Sequence, residues 1–445
     1  MESRIPKRIL NSLINALSAG VVPRTGAPYI AIGRIDETES LLSDLENVSE
    51  GGSSLRFLIG RYGSGKSFLL QLIRGYALEK GFVTADADLS PERRLCGTNG
   101  SGAATYRELI KNLSTKTSPD GGALTLLISR WLSGRQSALA ADGLEVGSEG
   151  FLSEMRRQVY SVTEELEDKV GGFDFATVIH KFYLATVNDD DNLRSCCLRW
   201  LRGEYATRSE AKRELGVQNI ISDENWYDYL KLIAFFVRTI GYKGLIVFID
   251  ECVNLYKITN RVSREKNYEK ILSIFNDTLQ GKAPNLGFIF VGTPQFLEDT
   301  RRGLFSYEAL RSRLADSELV GGGNYRNLCG PVIRLVRLTD NELYALITRL
   351  CALYSECYSY DVPLTSEQLQ TFLSVCLSKA GADTMITPRE IIRSFISLLN
   401  ILRQNPEASF DQVMGNVGNS LKSDSPGAAA PSGEISAEEL EDFEL

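Results

Sequence analysis

Three glycines, a lysine and a hydroxyl fall within eight residues, GRYGSGKS at 60–67. The spacing satisfies G-x-x-x-x-G-K-[ST] at Gly60, Gly65, Lys66 and Ser67. A loop of this kind wraps a phosphate chain with backbone N–H groups, and it needs glycine wherever a Cβ would obstruct the anion. The lysine neutralises the β and γ phosphates and the hydroxyl ligates Mg²⁺. The pattern assigns ATP contacts to Gly60, Arg61, Tyr62, Gly63, Ser64, Gly65, Lys66, Ser67 and Phe68, with Ser67 also a Mg²⁺ ligand. The bland alternative is a glycine-rich turn before a helix. Context weighs against it, because the loop opens a helix whose N-terminal dipole adds affinity for anions.

Further polar residues fall where hydrolysis would need them. The apolar run KGLIVFIDE (243–251) ends in Asp250 and Glu251. One carboxylate at a strand end holds the metal, a role that suits Asp250, and a second orients the attacking water, a role that suits Glu251. Strand-end acids are often merely solvated, and it is the phosphate loop that favours the catalytic reading. LGFIFVGTP (286–294) ends its strand at Thr293, either a γ-phosphate sensor or the start of the turn before Pro294. EALRSRLAD (308–316) presents Arg311 and Arg313 on a helix. An arginine supplied by a neighbouring subunit would stabilise transition-state charge and make hydrolysis depend on assembly, with Arg313 preferred over the reading of both as surface residues. Arg389 lies in the first turn of the TPRE helix, where a positive charge is slightly disfavoured and so calls for a reason, such as gripping the nucleotide from a lid.

These residues need a parallel sheet to bring them together. LRFLIG (55–60) reads as a strand, KSFLLQLIRGYALEK as a helix and FVTADADL (82–89) as a second strand, the start of an α/β unit. Residues 1–50 read as helix, turn and helix, with Asp36 as the second helix's cap. From about 95 to 240 the pattern is helix after helix, and strands resume at 243–251 and 286–294. The helical block is therefore an insertion inside one nucleotide-binding domain, or else a loosely joined domain of its own. The expected division is a nucleotide-binding domain over 1–330, a helical lid over 331–420 and a disordered acidic tail over 421–445. Within the lid, Thr387, Pro388 and Glu390 form a capping box with proline at the first helical position.

Composition narrows the function classes. The 445 residues are 43% hydrophobic and 24% charged, ordinary for a globular chain able to bury a core. No apolar run reaches membrane-spanning length and the start lacks a secretory signal, so the cytoplasm is the expected location. Eight cysteines without a CxxC motif suggest reduced thiols rather than a disulfide framework or a zinc site. The single histidine, His180, sits in an apolar helical stretch and reads as a packing residue, which leaves little basis for histidine-dependent catalysis. The net charge of −8 is concentrated in the last 22 residues, and the body of the chain is close to neutral. A body of that kind does not advertise nucleic acid.

The motif order is familiar. GRxxE (Gly33, Arg34, Glu37), the phosphate loop, the Asp-Glu strand end, Thr293, the SRL around Arg313 and the arginine-bearing helical lid together resemble AAA+ ATPases of the origin-recognition and signal-transduction NTPase branch. The resemblance implies that Arg34 lies near the adenine, Arg313 is the arginine finger and Arg389 is the sensor of the lid. A winged-helix form is an alternative reading of the late helices, although no recognition-helix signature stands out. More narrowly, IGRIDE, GRYGSGKSFLL, IDECVNLY, VGTPQF, LRSRL and TPREIIR look like the ATP-binding proteins of bacteriophage-exclusion (BREX) loci, BrxD type. That implies anti-phage defence, a homo-oligomer, work beside other defence proteins such as a helicase, and action on or near DNA. The large helical insertion and the acidic tail depart from a minimal AAA+ core.

A DNA-contacting patch, if present, is best placed at 193–215, with Arg194, Arg199, Trp200, Arg202, Arg208, Lys212 and Arg213, or else in the C-terminal domain. Glu204, Glu210 and Glu214 interleave with these cations, so a solvated, ion-paired surface is an equal reading. Two functions stand side by side: an ATPase that couples nucleotide state to assembly or remodelling, and a nucleotide-controlled recruitment module with little turnover.

Overall fold

A computed structural model describes residues 5–97, 100–167, 171–316, 327–378 and 386–415. The expected acidic tail lies outside the described residues. Five strands, β1 (Ser53–Gly60), β2 (Val83–Asp88), β3 (Leu245–Asp250), β4 (Leu286–Gly292) and β5 (Val332–Leu335), form one parallel sheet in the order β2-β3-β4-β1-β5. Its central strands are apolar at nearly every position because both faces are covered, the usual condition of a parallel sheet. Side chains alternate between the faces. Leu58, Ile246, Phe248, Ile289 and Val291 pack beneath the helices α2 (Ile35–Ser49) and α3 (Lys66–Glu79). Phe57, Ile59, Val247, Phe288 and Phe290 face the opposite layer.

That opposite layer includes the residues between β2 and β3. Among the described residues seven helices fill the interval: α4 (Ser101–Lys111), α5 (Ala123–Ala141), α6 (Glu149–Glu167), α7 (Gly172–Val187), α8 (Asp191–Leu201), α9 (Arg208–Leu215) and α10 (Trp226–Thr239). Their apolar residues are continuous with the sheet's core. The Trp226 indole donates to the Leu95 carbonyl at 2.9 Å, and Tyr227 packs on Phe288 of β4 with ring centroids 6.1 Å apart. A loosely tethered domain would not share a core in this way. The short helix α11 (Val253–Tyr256) follows β3, α12 (Arg261–Leu279) leads to β4, and α13 (Pro294–Glu298) and α14 (Glu308–Leu314) follow it.

A separate core holds the C-terminal helices α15 (Asp340–Tyr358), α16 (Ser366–Ser378) and α17 (Pro388–Gln404). Two sequence-based boundaries change here. The first helix, α1 (Lys7–Ser18), buries Leu10, Leu13, Ile14 and Leu17 against α15 and α17, so the N-terminal segment packs with the lid rather than with the sheet. Residues 332–335, expected to begin the helical lid, instead form β5 beside β1. This four-residue strand is too short for its periodicity to stand out. No strand follows Leu335 among the described residues, so the winged-helix form of the lid is not seen there. The capping box at Thr387 and Glu390 is formed, with Pro388 in the first turn. Asp36 is not a cap: Arg34 occupies that position and Asp36 lies in the first turn of α2.

Candidate nucleotide-binding site

Parallel strands place all their carboxyl ends on one edge, where ligands of open α/β sheets collect. From the end of β1 the chain enters the glycine loop and then α3. Gly63 and Gly65 have φ of +76° and +87°, left-handed values that a side chain would strain. At Gly63 a Cβ would also collide with the Thr387 methyl, so the loop touches the cap of α17. Lys66 Nζ donates to the carbonyls of Gly60 at 2.9 Å and Arg61 at 3.0 Å, which folds the ammonium back over its own loop. The Ser64 hydroxyl is buried without a hydrogen-bond partner among the described residues.

The β4 strand separates β1 from β3, which sets the acids opposite the loop across one strand. Asp250 and Glu251 line the same cleft as Gly63–Phe68. Asp250 is in register with Asp88 at the end of β2. Burial pushes its carboxyl up to about 6, with repulsion from Asp88 and Glu251 adding to the rise while the Glu251 N–H, which donates to Asp250 Oδ1 at 2.7 Å, opposes it. Glu251 has φ +54°, an uncommon value for a residue with a side chain, and such outliers gather at functional sites. Burial lowers the Lys66 ammonium from its ordinary value, and the charges of Asp250 and Glu251 oppose that fall. The basic and acidic groups therefore sense one another.

This donor set fits a magnesium nucleotide. The loop has left-handed glycines and, among the described residues, a buried hydroxyl without a partner, and the facing Asp250 carboxyl is raised above its normal range by burial first and by the neighbouring acids second, both of which a cation would relieve. The profile of the family described as BREX system ATP-binding protein BrxC/D matches residues 5–417. The chain belongs to this family. It is thus a BREX anti-phage system ATP-binding protein. No curated protein matches the chain.

In this BrxC/D chain the cleft continues past the phosphate loop into an apolar chamber. Leu17, Val21, Val22, Pro23, Ile30 and Ile32 line it from the N-terminal segment, and Leu338, Leu346 and Ile392 from the lid. Sequence reasoning missed this wall. Its members are scattered aliphatics with no motif, and the only available signal was the loop VVPRTGAPY between two helices. Phe68 joins the two regions by packing against both the lid core and the core beneath α3.

The remaining sequence-predicted residues divide by position. Arg389 lies on the cleft wall, exposed, with its Cδ and Cγ 3.8 Å from where a Cβ on Gly20 would stand. Arg34 also lines the cleft but is buried. Its Nη2 donates to the carbonyls of Ser64 at 3.0 Å and Val336 at 2.6 Å, and its Nη1 pairs with buried Glu37 at 3.3 Å. Gly60 and Arg61 supply carbonyls to Lys66, and Tyr62 is exposed at the rim. Thr293 follows β4 and is not among the residues that line the cleft; its hydroxyl accepts from the Phe296 N–H at 3.4 Å and caps α13. Arg311 and Arg313 are exposed on α14 and do not line this chain's cleft; Arg313 Nη1 donates to the Ala309 carbonyl one turn back. His180 on α7 packs against Tyr160 in a tilted pair with centroids 5.5 Å apart and lies outside the cleft.

The basic segment 193–215 is substantially self-neutralised. Arg199 pairs with Glu210 at 3.0 Å and Glu214 at 3.4 Å, Arg194 with Asp191 at 3.1 Å, and Arg213 with Glu214 at 3.4 Å. Trp200 is buried with its indole N–H on the Asn219 carbonyl, so it offers no stacking face to a base. Arg202, Arg208 and Lys212 are exposed. Among the described residues no helix is long and apolar enough to cross a membrane.

Proposed function

We propose that this chain is an AAA+-type ATPase that hydrolyses ATP at the cleft and uses the nucleotide's state to drive assembly or remodelling of partners. The observation that carries the reading is the placement of Asp250 and Glu251 on the same cleft as Lys66, with Glu251 held in left-handed backbone and its own N–H tied to Asp250.

Each residue takes a distinct role. The N–H groups of residues 63–67 and the Lys66 ammonium bind the phosphates. Ser67 and Asp250 are the residues that would hold Mg²⁺, which when bound would supply charge neutralisation for the phosphates. Glu251 is exposed at the rim, next to Asp250, where it can orient a water and take up its proton. Thr293 reaches the γ position by giving up its long 3.4 Å bond to Phe296. Arg389 grips the phosphates from the lid. Arg313 faces outward and therefore acts on the cleft of a neighbouring copy, so turnover requires a homo-oligomer. Other BREX proteins, a helicase among them, are the partners. If DNA is contacted, the exposed Arg202, Arg208 and Lys212 do so through phosphates, and binding falls steeply with salt.

Phosphate release at rising protein concentration tests the reading. Glu251→Gln should lower the rate by about 100-fold or more with ATP binding kept. Arg313→Ala should remove the rise in specific rate with concentration. An unchanged rate in Glu251→Gln would overturn hydrolysis at this site and leave the recruitment-module reading.

A further inference from the structure

The resemblance assigns Arg34 to the neighbourhood of the adenine, but its bonds serve another purpose. A single guanidinium nitrogen, Nη2, donates to Ser64 of the phosphate loop and to Val336, the first residue after β5. Val336 begins the connection to α15, so it stands at the hinge of the lid. The neighbouring Gly33 is pressed against the same hinge: with φ +73°, a Cβ there would lie 2.5 Å from Glu342 Oε1 and 2.8 Å from Leu338 Cδ2. Glu342 in turn closes the capping box that starts α15 with Thr339. Arg34 is 5% exposed and its partner Glu37 is 2% exposed. The fork therefore cannot swing away without breaking its buried bond to Ser64 and its buried pairing with Glu37.

We propose that Arg34 is a positioning residue that couples the shape of the phosphate loop to the lid hinge, a role that rests on ATP binding at this cleft. Lys66 now bonds the carbonyls of Gly60 and Arg61 within the loop. Binding phosphates requires that ammonium to turn outward, which releases those two carbonyls and reshapes the loop between them and Ser64. One nitrogen holding two carbonyls fixes their separation. A displacement of the Ser64 carbonyl must then be followed by Val336 or break a buried bond. The same loop also touches the lid through Gly63 and Thr387, a steric contact beside the polar one that Arg34 makes.

The test uses the full chain with Arg34→Lys, which keeps charge beside Glu37 but cannot fork, and Arg34→Gln/Glu37→Gln, which removes the buried pair together. Hydrogen exchange of residues 387–404 is followed with and without a fluorescent ATP analogue, alongside its affinity and the thermal midpoint. In the wild type, nucleotide should slow exchange in α17 by about 10-fold. In the variants affinity should stay within about 3-fold while the nucleotide-dependent slowing drops below about 2-fold. Full slowing in a folded variant overturns the coupling. So does a loss of affinity equal to that of Lys66→Ala, which would make Arg34 a nucleotide contact. Two variants that do not fold would also overturn it, by giving Arg34 a purely structural role. Failure of the wild type itself to bind the analogue would count against the ATP site instead, so the two ideas fail separately.

Discussion

The phosphate wall of the cleft and its apolar wall are built in opposite ways. The first comes from one stretch of eight residues and one pair of acids, each fixed in type by hydrogen-bond geometry or charge. The second is assembled from Val21–Pro23, Ile30 and Ile32 near the start of the chain and from Leu338, Leu346 and Ile392 near its end. Any aliphatic of suitable size serves in such a wall, because apolar contact is non-directional. Directional chemistry leaves a motif, whereas shape does not. The two walls also rest on different cores: the loop sits on the sheet, and most of the apolar wall shares the core of α1 and the lid helices.

The largest effect that separates the walls should come from Lys66→Ala. ATP affinity by calorimetry should fall at least about 100-fold, roughly 2.7 kcal/mol, and inorganic tripolyphosphate should lose affinity in parallel. Equal tripolyphosphate binding by wild type and variant would break the assignment of the loop to phosphate. Ile392→Asn should show the inverse pattern. ATP affinity drops about 10-fold through the polar group now facing the chamber, and tripolyphosphate affinity is unchanged. A parallel loss of both ligands would mean that the walls are not independent.

The smallest effect concerns stability without metal. The Asp250 carboxyl is raised from 3.8 to about 6 in the folded protein, so the native state holds its proton more tightly than the unfolded chain. Its stabilising contribution is full below pH 4 and is lost as pH rises through 6. In EDTA, Asp250→Asn should therefore raise stability at pH 7.5 by about 1 kcal/mol, a value reduced for partial exposure, and should have no such effect at pH 4. Denaturant unfolding at the two pH values checks this. A variant less stable than wild type at pH 7.5 would show that burial does not disfavour the charged Asp250 carboxylate there.

Legibility followed the same division. The strand–loop–helix at Gly60–Glu79, the acidic strand end and the capping box at Thr387 could be read directly, because each depends on contacts within a few residues. The short strand β5, the docking of α1 on the lid and the buried fork of Arg34 could not. Each depends on partners about 270 to more than 300 positions away.

By itself the sequence supplied the residue types that phosphate and metal would demand, since glycine, lysine, hydroxyl and carboxylate are scarcely replaceable at those spacings. It also determined which segments are strand and helix wherever periodicity was long enough to show. Tertiary structure alone decided that β4 lies between the loop and the acids, that the N-terminal helix belongs with the lid, and that Arg34 faces backbone carbonyls. Those outcomes follow from which apolar faces find one another across the whole chain, and a residue's type does not say which distant surface will cover it.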